Sequence, residues 1–469
     1  MERLRLKDLV AATGGRLADV PVGLTEIVRF GTDSRTLQPG DAFWAFRGPR
    51  FDAHDFVPTA VASGAVLAVV DEAHGELAVP RLIVRDTLAA WGELAGWRRR
   101  QSDALVIGVT GSVGKTTTRE LVYAALSEQY QGMRSAANLN NLYGLPQTLL
   151  ELRQSDEFAV LELGADRVGE IRDLCAIARP EVGLITSIGK AHAKSFGGVE
   201  GIIRGKGELL EALPSSGFAV LPGDDPVVRD MARRAACPVI FVGEHQQNHL
   251  WPVQVRATAG SLQFRVNGQD YSVPATGRHF LANALLAIAV GREIGMNSGA
   301  IARGLARFEP VDGRCRPRQI GLWTVIDDSY NASPTSMAAA LNVLRDLDFG
   351  RSARRIAVLG DMRELGECGP EEHRNIGRHA AAAGIDALLA YGDSADELAR
   401  GAREGGLTSG RIAATDDLEI LRLLLDCWLE PGAVVLVKGS RAMQMERVVS
   451  WLEQLAEDSG HRVVGRQVA

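Results

Sequence analysis

The stretch 105-LVIGVTGSVGKTTTRELVYAAL-126 decides how this chain is read. It opens with residues of the type that fill a buried strand and ends with the spacing of an amphipathic helix. Between them lies a glycine turn followed by a lysine and three threonines. Strand, glycine turn, Lys-Thr and helix together make phosphate-binding architecture. Gly111 and Gly114 let main-chain N–H groups approach an anion closely. The helix opening near Lys115 aims its unpaired N–H groups and positive dipole end at the same point. Lys115 adds a point charge for terminal phosphates, and the Thr116 hydroxyl can ligate Mg²⁺. The candidate nucleotide contacts are therefore Gly111, Ser112, Val113, Gly114, Lys115, Thr116 and Thr117. The common pattern has a further glycine six residues before the lysine. Val109 stands there, flanked at a distance by Gly108 and Gly111, so the motif is the narrower Thr-Gly-Ser-x-Gly-Lys-Thr form.

Two further strands of the same unit end in polar residues. FAVLEL delivers Glu162 near its carboxyl end, and VGLITSIGKAH delivers His192 just past its own. In a parallel sheet all carboxyl ends share one edge, where ligands bind, so both residues are expected beside the phosphate loop. A carboxylate near a triphosphate suits Mg²⁺, directly or through water. On the residues alone, Glu162 also reads as a capping carboxylate and His192 as an ordinary loop histidine. Lys206, in GIIRGKGELLEAL, reads as a solvated helix lysine.

The chain has 469 residues, 46% of them hydrophobic and 23% charged, which suits about three domains with real cores. A net charge of −6 argues against bulk binding to nucleic acid. Five scattered cysteines with no Cys-x-x-Cys fit a reducing compartment. The N-terminus lacks a signal-peptide core and no apolar run is long enough to span a membrane, so a cytoplasmic protein is expected. The expected fold class is α/β in three domains. Residues 1–103 form a small α/β unit and 104–312 a P-loop unit with a mostly parallel sheet and a β-rich insertion. Residues 313–469 form a Rossmann-like α/β unit, with strands in WTVIDDS, RRIAVLGDM, DALLAYG and AVVLVKGS. The second boundary is placed in the Pro-, Gly- and Arg-rich stretch 310–318.

Taken in order, the pieces DSRTLQPGDAFWAFRG, TGSVGKTTTRE, ANLNNLYGLPQTLL, LELGADRVGEI, FGGVEGIIRGKGEL, GRHFLANALLA, DDSYNASPTSM, LGDMRELG and VLVKGSRAMQMERVV resemble the Mur ligase family over nearly the whole chain. NLNN and YNASPTSM, with no Asp-Asn-Pro-Arg in the last unit, favour the member that adds D-alanyl-D-alanine to UDP-N-acetylmuramoyl-tripeptide. The resemblance implies ATP-dependent amide formation through an acyl phosphate, two Mg²⁺ ions, and a cytoplasmic, monomeric ligase of cell-wall precursor synthesis. A Mur-type ligase for another amino acid or a folate-like acceptor is the alternative. A nucleotide-dependent switch is disfavoured by the absence of Asn-Lys-x-Asp.

By the same resemblance, Lys115, Glu162, His192, Asn283, Arg314 and Asp328 serve ATP and Mg²⁺, and Lys115, Lys206, His192 and Arg314 form the catalytic set. Thr116, Glu162, His192 and a carbamylated Lys206 are the implied metal ligands. Ser34 and Arg35 are implied near the UDP end, and Asn138, Asn140 and Asn141 on the substrate side. Lys438, Ser440 and Arg441 are placed towards the dipeptide carboxylate. On the residues alone, Asn283 could cap a helix, Arg314 could be a hinge surface charge, and the Gly-Ser-Arg run could open a helix. Ala53, the AKSFGG segment and YNASP depart from the usual family pattern and bear on substrate-side detail.

Overall fold

The computed structural model describes residues 2–48, 51–74, 79–190, 193–346 and 353–459. The first sheet has five strands in the order Arg16–Ala18, Arg81–Val84, Leu67–Asp71, Ala42–Trp44, Phe30–Gly31. Its core gathers Trp44 and Trp91, with ring centroids 4.7 Å apart, and the Trp44 indole N–H donates to the carbonyl of Thr87 at 2.8 Å. The helix Thr87–Arg100 carries Trp91 and begins with the Asp86 side chain accepting from the N–H of Ala89. Its basic end binds the next unit: Arg98 donates to the carbonyl of Leu152 and Arg99 to that of Ala178. The arginines thus cap foreign carbonyls as well as suiting their own helix terminus.

The central sheet has six strands, all parallel, in the order Val239–Val242, Phe218–Pro222, Val182–Ile185, Leu105–Thr110, Phe158–Glu162, Gly132–Arg134. Leu105–Thr110 lies inside, its residues buried from Val106 onward, and the chain departs from it to both sides. That reversal opens a crevice at the carboxyl edge, above the strand that leads into the glycine loop. Register places Glu162 opposite Val109, and Ile185 opposite Thr110. Three antiparallel strands, Val253–Ala257, Leu262–Val266 and Gln269–Val273, form the expected β insertion. The helix Phe280–Glu293, apolar on nearly every side, is correspondingly buried against the loop helix Lys115–Leu126.

The last sheet runs Arg316–Ile320, Trp323–Asp328, Val434–Lys438, Arg355–Gly360, Ala387–Tyr391, Ile412–Thr415. Its first pair is an antiparallel hairpin and the remaining pairs are parallel. Arg316–Ile320 begins inside the 310–318 stretch in which the second boundary is placed. It is an edge strand, which is where a sheet tolerates a residue such as Pro317. Among the described residues no helix is long and apolar enough to cross a membrane. All five cysteines are free thiols, and Cys175, Cys237 and Cys315 are buried.

Candidate active site

The glycine loop is held from behind. Ser112 N–H donates to the carbonyl of Ser187 at 2.9 Å, Val113 N–H to the Ser187 hydroxyl at 2.9 Å, and the Thr186 hydroxyl to the carbonyl of Val113 at 2.5 Å. Gly111 has φ of 148°, and a Cβ there would lie 2.0 Å from Thr186 Oγ1. Gly114, with φ of 88°, opens the loop helix in the left-handed region. A Cβ there would lie 2.9 Å from Asn283 Oδ1. Both positions need glycine for conformation and for space. Lys115 curls back so that Nζ donates to the carbonyl of Gly111 at 2.9 Å. Burial lowers its pKa and the Arg314 charge adds to that, while Glu162 and Asp166 oppose it.

Glu162, 3% exposed, stands beside this loop. Its carboxylate accepts from Thr116 Oγ1 at 2.9 Å, Asn140 Nδ2 at 2.9 Å and Arg119 Nη1 at 3.3 Å. Arg314 donates from Nη2 to Thr116 Oγ1 at 3.3 Å and stacks on Tyr330, its guanidinium carbon 4.0 Å from the ring centroid. A hinge charge in solvent would make neither contact. Burial lowers the pKa of Arg314, against the raising effect of Glu162 and Asp328. Asn283 is not a cap: it is the fourth residue of its helix, whose N-cap is His279, and its Oδ1 accepts from Thr118 Oγ1 at 3.2 Å. Asp328 accepts from Lys438 Nζ at 2.6 Å and from the N–H of Cys315 at 3.1 Å.

One cleft of about 770 Å³ joins these residues. The loop 112–117, Glu162, Asn283, Arg314 and Asp328 line it, as do Asn138, Asn140 and Asn141 on one side and Lys438, Ser440 and Arg441 on another. Leu88 of the first unit also reaches it. Asn141 is partly structural, since its Oδ1 accepts from the N–H groups of Tyr143 and Gly144 at 3.1 and 2.9 Å. Lys438 is 1% exposed, with Nζ shared between Asp328 and the carbonyl of Asn331 at 2.8 Å. Ser440 precedes the short 3-10 helix Arg441–Met443 without a side-chain capping bond, its Oγ accepting instead from the N–H of Arg363 at 2.8 Å, so the Gly-Ser-Arg run does open a helical turn while facing the cleft.

Two expected groups, Lys206 and the Ser34–Arg35 pair, fall elsewhere, and a third is not among the described residues. Lys206 does not line the cleft; it is 1% exposed, with Nζ 5.5 Å from the Phe196 ring centroid. Burial and then the Lys115 charge bring its pKa down to about 7, against an opposing effect of Asp166. It is therefore no solvated lysine. His192 lies outside the described residues. Ser34 and Arg35 follow the edge strand Phe30–Gly31 of the first sheet and do not line the cleft; Arg35 is exposed and pairs with Asp33 at 2.7 Å.

Residues not singled out in the sequence complete the site. Arg119 grips Glu162 from inside, and Tyr330 supports Arg314. His279 lines the cleft with its side chain exposed to it. Arg119 was open to discovery because it lies four residues after Lys115, on the same helix face. A second cluster, His54, Asp71 and His74, lies in the first unit with its ligand atoms within 4.8 Å of one another. His54 Nδ1 bonds Asp52 at 2.5 Å and Nε2 accepts from the N–H of Asp71 at 3.1 Å, so both ring nitrogens are already used in tying the Ala53–Phe56 turn to its neighbouring strand.

A phosphate loop on a parallel sheet, sharing one cleft with a second α/β unit that brings its own cations, defines a three-domain P-loop nucleotide-binding protein. Family models described as "Mur ligase family, catalytic domain", "Mur ligase middle domain" and "Mur ligase, glutamate ligase domain" match residues 26–96, 109–291 and 306–441. The UDP-N-acetylmuramoyl-tripeptide–D-alanyl-D-alanine ligase of Escherichia coli K12 is 36% identical, over 97% of this chain and 99% of that one. Its Bacillus subtilis 168 namesake is 32% identical, over 96% and 98%. The crystal structure of MurF from Acinetobacter baumannii superposes with a TM-score of 0.89 at 33% identity, covering 97% of this chain and 99% of that one. MurF from Thermotoga maritima in complex with ADP gives a TM-score of 0.81 at 29% identity, covering 92% and 99%. The chain belongs to the Mur ligase family.

Proposed function

We propose that this protein joins D-alanyl-D-alanine to UDP-N-acetylmuramoyl-tripeptide with ATP as the energy source, in the cytoplasm, as a step of peptidoglycan precursor synthesis. One observation carries the reading: the phosphate loop, the Asn138–Asn141 loop and the Ser440–Arg441 turn all open on a single cleft. Residues 1–103 hold the UDP end through Ser34 and Arg35, which requires that end to extend beyond the cleft. Residues 104–312 hold ATP, and 313–469 bring the dipeptide, its carboxylate towards Ser440 and Arg441. Lys438, paired with Asp328, acts there through that pair.

A carboxylate does not react usefully with an amine in water, because an oxide leaving group is poor. In the proposed route an oxygen of the tripeptide's terminal carboxylate bonds to the γ-phosphorus as the bridge to ADP breaks. The dipeptide amine then attacks the acyl carbon, loses a proton, and phosphate departs with that oxygen. The protein aligns the reactants and offsets their charge. Loop N–H groups and Lys115 receive the phosphates, Arg314 adds a second cation, and Asn283 and Asp328 position the nucleotide. Thr116 and Glu162 are hard oxygen donors whose atoms already meet at 2.9 Å, a set that suits Mg²⁺. When bound, Mg²⁺ neutralises phosphate charge. Lys206 lies behind the cleft rather than lining it, so as a carbamate ligand for a second metal its lengthened side chain would have to reach in, while burial favours the neutral amine that takes up CO₂; His192 completes the proposed set.

Incubating the protein with ATP, Mg²⁺, the tripeptide nucleotide and D-alanyl-D-alanine should yield a product of their joined mass less one water. Phosphate release should need both acceptor and amine. ATP hydrolysis indifferent to both would overturn the assignment.

A further inference from the structure

Glu162 is held by three side chains from two elements: Thr116 and, one turn beyond it, Arg119 on the loop helix, and Asn140 on the loop that follows Gly132–Arg134. Arg119 reaches furthest. The same Nη1 that faces Glu162 at 3.3 Å donates to the carbonyl of Ala137 at 2.7 Å. Its Nε and Nη2 are fixed by Glu120 at 3.1 and 2.6 Å, and Glu120 is itself fixed by Arg134 at 2.6 Å. The Arg119 side chain is 3% exposed and does not line the cleft, so it acts only through what it holds. Ala137 has φ of 43°, a left-handed conformation that a residue with a Cβ keeps only when its surroundings enforce it. It directly precedes Asn138, which is exposed and faces the cleft.

We propose that Arg119 is a positioning residue that ties the Glu162 carboxylate to the Asn138–Asn141 loop, so that one guanidinium sets both the metal-holding group and the substrate-facing turn. This rests on the reading of Glu162 as a Mg²⁺ ligand and of that loop as the tripeptide side. A rigid planar fork can hold a carboxylate, a carbonyl and a second carboxylate in fixed relation, whereas a lysine ammonium cannot span them all.

The test uses the full-length chain and calorimetric titration with two probes, UDP-N-acetylmuramoyl-tripeptide and metal-free ADP. Arg119→Met is expected to raise the tripeptide Kd about tenfold, leave the ADP Kd within about threefold, and lower kcat, while Arg119→Lys loses less of each. Parallel weakening of both ligands, or an unchanged tripeptide Kd, overturns the proposal. Should Arg119→Met fail to fold, Arg119→Lys carries the test: a tripeptide Kd raised about threefold with ADP unchanged supports it, and parallel or absent effects overturn it. Asn138→Ala separates the two layers. If it leaves tripeptide affinity unchanged, the substrate-side reading itself fails; if it weakens binding and Arg119→Met does not, only the role of Arg119 falls.

Discussion

Lys115 is half-buried at the phosphate loop and Lys206 is buried behind it, close enough for the Lys115 charge to act on Lys206. For Lys115 the expectation is direct. Lys115→Met should lower kcat about a hundredfold or more, a loss of roughly 3 kcal/mol of transition-state stabilisation, with the fold intact by circular dichroism. Near-normal turnover would remove it from the mechanism. For Lys206 the signature is pH. Its pKa in the fold is about 7, against 10.5 for an unperturbed lysine. Between these values the unfolded chain carries a proton that the folded chain lacks, so stability rises with pH across that window, and the cost of the buried charge is full below pH 7. Lys206→Met removes the cost, so its advantage in urea midpoint, in bicarbonate-free buffer, should be larger near about pH 6.5 than near about pH 9. An equal advantage at both would contradict the shift. Lys115 was legible from its motif alone. The burial of Lys206 is legible in the periodicity of its helix: it stands four residues after Ile202 and three before Leu209, on the apolar stripe.

At the level of elements, the site is a turn braced by the next strand's end. Gly111→Ala puts a methyl 2.0 Å from Thr186 Oγ1 at a φ few side chains adopt, so the loop must shift against Thr186 and Ser187. The expected result is a nucleotide affinity at least about tenfold weaker with stability lower by roughly 1–3 kcal/mol, read by calorimetry and thermal melting. Retained affinity would show that the loop does not depend on this turn. The long buried strands and the amphipathic helices were readable in the sequence because their periodicity is strong. Arg316–Ile320 was not: its residues are mostly half-buried and it pairs at a sheet edge, so no clean alternation marks it. Nor did Asn283 declare itself as a helix-interior residue, because its polarity suggests a cap until the burial of Phe280 and Leu281 starts the helix earlier.

Across the whole molecule, the three units meet through specific groups. Trp91 donates from its indole to the carbonyl of Tyr143 at 3.0 Å, linking the first unit to the Asn138–Asn141 region. Lys190, next to the Gly189 that bonds Ser112, pairs with Glu372 of the last unit at 2.6 Å. The phosphate loop is thereby in register with both neighbours, an arrangement that no single stretch of sequence carries because it depends on side chains distant along the chain. The order of motifs announced three units, while the sharing of one cleft required the fold. The most direct measurement of the central claim follows the reacting oxygen. With ¹⁸O in the terminal carboxylate of the tripeptide nucleotide, ATP and D-alanyl-D-alanine, each turnover should place one labelled oxygen in the released phosphate. Product formed with unlabelled phosphate would contradict attack of that carboxylate on the γ-phosphorus.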